Sequence, residues 1–465
     1  VKTIRRILGL DLPDERTDAG LTIVEVVVAM LVFAVITVGA IAAVGTVLTM
    51  TGDSRSREVA ANLAAQDVDR ARSTPDVFDV QSTTTPVVSQ QNGTTYKLTR
   101  NVNWVSTSGI SSQCGAGGGA LLYKQVNTTV TWGSGSSAQS TSTNTLLAPN
   151  SKINDPDFGT ILVTVQSGVG LGSTSGVSVT IAPDSSVASN TAVSLAAQPD
   201  ATDANGCAFA LKVTPGSYTV TLSYSGAQYR DQAQSATPSQ SVSVGAGGSA
   251  SAIFAYDPAA IYSMQYASNY APGGATLPSN LATSFLSNLP QYTATTPALT
   301  QYVSPSQGGY QALAGRYAPA TAAQSCVDTD PEAWPKGSGN TTGKRQPLVS
   351  AQPADTQPMN VAMGVIRVNV ASNVRFVTLS STSPLGDDPG CNIAQTYVYP
   401  VVPTVSGTQY QVTLAVPFGT WTVATQTTSG GLYSGVLFTN ITPLTTGQTA
   451  FSLALNKVML DPRTK

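Results

Sequence analysis

The stretch Leu21–Met50 is apolar almost throughout and holds one ionisable side chain, Glu25. About 20 apolar residues suffice to cross a bilayer as an α-helix, so this stretch spans one with residues to spare. A carboxylate in hydrocarbon costs about 2.5–3.5 kcal/mol at the helix centre and less near an end. Glu25 is therefore a functional candidate. Leu21 lies four residues earlier, the spacing that puts both on one helix face. The segment before it is polar and ends in Gly20, with Lys2, Arg5 and Arg6 near its start. Basic residues there favour a cytoplasmic N-terminal side, with the bulk of the chain outside the cytoplasmic membrane.

The run Asp18-Ala19-Gly20-Leu21-Thr22-Ile23-Val24-Glu25 resembles the class III signal of type IV prepilins and pseudopilins. The resemblance implies that Val1–Gly20 is a leader and that a prepilin peptidase cuts between Gly20 and Leu21. It implies N-methylation of the new amine on Leu21, and filament assembly with Glu25 facing a neighbouring subunit's N-terminus. Leu21 stands where the family usually has Phe, and Ala42 where major pilins have a helix proline. Minor pilins and pseudopilins vary at both. A cation and an anion in hydrocarbon are each costly alone and are tolerated as a pair. The competing readings are a plain single-pass anchor and an uncleaved secretory signal. A secretory signal has an apolar region of about 7–15 residues with its cut after it; here the run is longer and the candidate cut lies before it.

Beyond Met50, Val59, Leu63 and Val68 alternate with charged residues over Ser54–Arg72, an amphipathic extension that Pro75 ends. Residues 21–74 thus read as one pilin-like helix, with residues 75–133 as a small antiparallel sheet. Tyr96, Leu98, Val102 and Trp104 alternate onto one strand face, and Val126, Thr128, Val130 and Trp132 onto another. The run from Lys124 to Trp132 resembles strands of actinobacterial pilin-like proteins. Residues 134–158 are rich in Ser and Thr and read as a linker.

Residues 159–257 begin a different unit. Ile161, Val163 and Val165 form a first strand. Phe209, Leu211 and Val213, then Pro215-Gly216, then Tyr218, Val220 and Leu222 read as a hairpin. The pattern resembles carboxypeptidase-regulatory-like, transthyretin-like sandwiches. It recurs in residues 359–465, where Val412, Leu414, Val416, Gly419, Trp421 and Val423 match Phe209, Leu211, Val213, Gly216, Tyr218 and Val220 at one constant offset. Ile366 and Val368 match Val163 and Val165 at that same offset, which marks an internal repeat. Residues 258–358 read as an irregular lobe rich in Tyr and Pro. Ala259–Tyr266 or Ser279–Leu289 is a candidate short helix, and the tyrosines either pack their own lobe or form a binding surface.

The chain has 465 residues and no histidine, which removes Ser-His-Asp catalysis and histidine metal ligation. Only 10% of residues are charged, and the formal net charge of −2 gives no basic field for nucleic acid. Cys114, Cys207, Cys326 and Cys391 are widely spaced, with no zinc or redox pattern. Outside the membrane they favour two disulfides, with three connectivities open. The expectation is a mainly β chain with one long N-terminal helix: a pilin-like helix and sheet followed by two sandwiches. It is expected to have no catalytic residues, cofactor or metal. The partners this reading names are prepilin peptidase, other pilin subunits, the cytoplasmic membrane before assembly and, in the alternative adhesin reading, a surface or glycan ligand.

Overall fold

The computed structural model describes residues 22–464 apart from 84, 136–137, 150–152, 154, 173, 296 and 446–456. One long helix, Ile23–Ser73, precedes a chain that is otherwise strands, turns and short 3-10 segments. Contacts divide the described residues into two compact units. One comprises the helix with residues 85–101 and 126–145; the other comprises residues 75–84, 102–125 and 146 onward.

The first sheet orders its strands Val87–Gln91, Thr94–Ser106, Leu121–Trp132 and Gln139–Leu147. The turn Asn92-Gly93 takes positive φ at both residues, 50° and 77°. That conformation matches the twist of a two-residue hairpin and explains the Asn-Gly pair. In the helix unit, Ala60 and Ala64 are buried against Tyr96, Val130 and Trp132, with Val59, Leu63 and Leu98 at the margin. The segment read as a linker contains a real strand, Gln139–Leu147. Its side chains are mostly hydroxyls because it lies at the end of the sheet order, where only Thr145 of its residues is buried.

The second unit contains two sandwiches and a β-rich segment between them. In the first, strands Tyr229–Asp231, Ser249–Pro258, Gly159–Gln166 and Cys207–Val213 form one sheet. Ser239–Val244, Gly216–Ser223 and Ser178–Pro183 form the other. Ile161, Val163 and Val165 meet Val179, Ile181, Tyr218 and Val220 in the core between them.

The second sandwich pairs Gly364–Val370 with Gln409–Val416 in one sheet, and Phe376–Ser381 with Gly419–Gln426 in the other. The first sandwich makes the corresponding pairings of Gly159–Gln166 with Cys207–Val213 and of Ser178–Pro183 with Gly216–Ser223. The expected hairpin is absent from both: the two strands flanking each turn belong to opposite sheets. The turn therefore crosses the core. In both copies an aromatic side chain closes it. Tyr218 Oη donates to Thr214 O at 2.8 Å and Trp421 Nε1 donates to Pro417 O at 2.9 Å. Glycine is required at Gly419, whose φ is 123° and whose added Cβ would lie 2.5 Å from Asp328 Oδ2.

The expected inward face fails at Phe209 and Leu211 but holds at Val213, which is buried; Ala208 and Ala210 are buried in place of the first two, while Leu211 is 41% exposed. Lys212 adopts φ 55° and the pairing with Gly159–Gln166 shifts register, so the alternation breaks before Val213. Phe209 joins a separate apolar cluster with Phe78, Trp104, Leu121 and Leu162.

Residues 258–358 are not an irregular lobe. Ala260–Tyr266, inside one candidate helix, is a strand between Thr300–Val303 and Thr356–Val361. Thr283–Leu286, inside the other candidate helix, is a strand between Tyr292–Ala294 and Gln311–Ala314. Tyr262 and Tyr310 are fully buried. One hydrophobic cluster runs from Tyr262, Phe285 and Tyr310 through Met359 and Val365 to Trp421 and Leu460, so this segment and the second sandwich share a core.

Candidate functional site

The helix starts at a threonine cap. Thr22 Oγ1 accepts from the Glu25 backbone N–H at 3.4 Å, and Thr22 O accepts from Glu25 and Val26. This satisfies amides that the first helical turn otherwise leaves without partners. From Ile23 to Met50 the apolar side chains project outward all round: Ile23 is 84% exposed, Phe33 71% and Met50 67%. The helix is long and apolar enough to cross a membrane, with a mean hydropathy of 2.8 over an 18-residue window.

Its threonines spend their hydroxyls on the helix itself. Thr37 donates to Phe33 O at 2.7 Å, Thr46 to Ala42 O at 2.9 Å and Thr51 to Val47 O at 2.7 Å. Such back-bonding leaves no hydroxyl hydrogen needing water. Gly39, Gly45 and Gly52 leave the helix unbroken, with open space where a Cβ would stand.

Glu25 is exposed on the same face as Thr22, Val28, Ala29 and Val32. Among the described residues its carboxylate has neither an ion pair nor a side-chain hydrogen bond. Gly20 and Leu21, the expected cleavage and methylation positions, lie outside the described residues.

The last third of the helix contains a second acid that sequence periodicity assigns to the polar face. Asp67 is buried. Arg100 Nε donates to Asp67 Oδ2 at 2.8 Å, Arg100 NH2 donates to Oδ1, and Thr128 Oγ1 donates to Oδ2 at 2.8 Å. Burial alone pushes this carboxyl up; the Arg100 and Thr128 hydrogen bonds and the Arg100 charge outweigh it, so its pKa lies below the ordinary value. The missed signal is the alternation of Thr94–Ser106, which puts Arg100 on the same face as Tyr96 and Val102.

Other buried ionisable groups belong to the β unit. Lys124 Nζ donates to Phe78 O at 3.1 Å and Val80 O at 2.8 Å, and lies 5.0 Å from the Trp104 ring centroid. Desolvation brings its pKa down to about 8. Asp328 is 3% exposed; burial, then the neighbouring Asp388, pushes its pKa up to about 7. Asp388 accepts from Thr420 Oγ1 and from Gly390 N, the latter at 2.8 Å. Cys114 bonds to Cys207 and Cys326 to Cys391. Asp328 also lies beside the Cys326 and Cys391 sulfurs, but those sulfurs are spent on each other and offer no thiolates to a metal.

No family model matches the chain. No curated protein matches it. Two solved structures are similar along much of its length. The Bacillus anthracis TIE protein matches at 10% identity and a TM-score of 0.18, over 81% of this chain and 74% of its own. A streptococcal ancillary pilin matches at 8% identity and a TM-score of 0.19, over 56% of this chain and 91% of its own. At TM-scores this low, neither likeness carries an argument about fold or function.

Proposed function

We propose that this chain is a structural subunit of a type IV pilus or a related secretion-like filament, processed by a prepilin peptidase between Gly20 and Leu21. The observation that carries the reading is one uninterrupted helix with two unlike surfaces. Ile23–Met50 exposes apolar side chains on every side, while Ala60–Ala71 is seated on its own sheet unit. A helix apolar all round belongs in lipid or among other helices. Placed first in the membrane and then in a bundle of like helices, it meets apolar surroundings in both.

Glu25 has no partner among the described residues, which supports a role for the freed amine of a neighbouring Leu21. The pair would set the axial register between subunits. The sandwiches would lie outside the bundle, and so bulky a subunit fits rare or tip placement better than every position of a thin filament. Mass spectrometry of the mature N-terminus tests the reading: N-methyl-leucine at Leu21 is the expected result. A chain that retains Gly20 in assembled material would reduce it to a single-pass anchored surface protein.

A further inference from the structure

The second sandwich has an open pocket of about 520 Å³ at one end, between its two sheets. Asn369 closes the strand Gly364–Val370 side, Gln409 and Tyr410 begin the strand Gln409–Val416, and Thr425 comes from the opposite sheet. Thr408 and Asn440, the latter from the 3-10 turn Phe438–Asn440, add to the polar lining. The volume falls within the range of about 300–1,000 Å³ of small-ligand sites.

Two features set its chemistry. First, the lining carries no carboxylate, ammonium or guanidinium. It therefore has nothing to neutralise a phosphate, sulfate or carboxylate, and nothing to hold a cation. Second, apart from Thr425, the polar side chains named here are unspent. The Thr425 hydroxyl donates to Ser434 O at 3.3 Å. The side-chain amides of Asn369, Gln409 and Asn440 and the Tyr410 hydroxyl make no hydrogen bond among the described residues. Each amide offers a carbonyl acceptor beside two N–H donors. That arrangement matches neighbouring hydroxyls, each of which both donates and accepts. Tyr410 is 39% exposed, so it also presents an apolar ring to the site.

We infer that this pocket binds a neutral carbohydrate. The amides hydrogen-bond adjacent sugar hydroxyls, and the Tyr410 ring lies against the apolar C–H face of the pyranose. Exposed Leu432 and Tyr433 on the neighbouring turn extend the contact surface for further residues of an oligosaccharide. The inference is independent of filament assembly, because every group it uses belongs to the second sandwich.

The test uses the full-length protein in detergent, on an array of neutral, sialylated and sulfated oligosaccharides and unrelated peptides. Binding confined to neutral glycans is the expected result. Asn440→Ala and Tyr410→Ala should each weaken it roughly tenfold, the loss of about one hydrogen bond or one stacking contact. Tyr410→Phe keeps the ring and should retain binding within about threefold. Thermal unfolding of each variant, expected to match the parent because the side chains make no protein hydrogen bonds, separates lost recognition from lost structure. No binding to any neutral glycan, preference for the charged glycans or for peptides, or neutral-glycan binding indifferent to both alanine variants would each overturn the inference.

Discussion

Glu25 and Asp67 are two acids on the same helix with opposite solutions. Asp67 is enclosed, and its own chain supplies Arg100 and Thr128. Glu25 stands on an exposed apolar face, and no group among the described residues answers its charge. The difference teaches where each half of the helix finds its complement. The Asp67 half is finished when the chain folds. The Glu25 half has no complement among the described residues.

The largest expected effect comes from breaking the internal solution. Asp67→Ala leaves the Arg100 guanidinium without its carboxylate and should destabilise the helix–sheet unit by about 3–5 kcal/mol. Hydrogen exchange of Thr94–Ser106 would report it; unchanged protection would mean that the pair is dispensable. Next in size is packing. Ala64 is 1% exposed, and Ala64→Leu should cost about 1–3 kcal/mol by overfilling the contact with Trp132. Ala40→Leu, on the exposed half, should stay within about 0.5 kcal/mol. Equal effects at both positions would erase the distinction between the halves.

Acid provides a third probe. The depressed Asp67 contributes stability that is present above its unfolded pKa near 3.8 and is lost as pH falls through its lower folded value. Asp328 has the opposite sign. Its folded pKa is raised to about 7, so the native state holds the proton more tightly, and stability falls as pH rises from about 4 to about 7. Denaturation followed across that range should show a negative slope that Asp328→Asn flattens. The smallest folding effect is expected at Glu25. Glu25→Ala should leave stability in detergent within about 0.5 kcal/mol yet abolish incorporation into filaments. Normal incorporation would remove the need for an outside partner.

The helix was legible because its signal is long and uniform. The alternating faces around Tyr96, Val102, Trp104, Val126 and Val130 were legible because each strand buries one side. The middle segment was not. Its strands run only three to seven residues between Pro- and Gly-rich turns, too short for a period to emerge. Gln139–Leu147 carries no strand signal because a strand at the end of a sheet needs few apolar residues. Leu211 misled because Lys212 adopts a left-handed conformation that no hydrophobic count detects. Asp67 misled most. A carboxylate in a stretch as rich in charge as Ser54–Arg72 reads as solvent-facing, and only the partner strand shows that it is enclosed. The cysteine spacing likewise left open the pairing that the structure provides.

Val458 and Leu460 fill the same core as Ala260 and Tyr262. Everything translated between them must wait for that closing strand, so neither the middle segment nor the second sandwich completes its interior early. Such distant closure makes for slow maturation. A ribosome stalled before Lys457 should display a nascent chain whose apolar surfaces still recruit chaperones and remain open to protease, long after the first sandwich has become resistant.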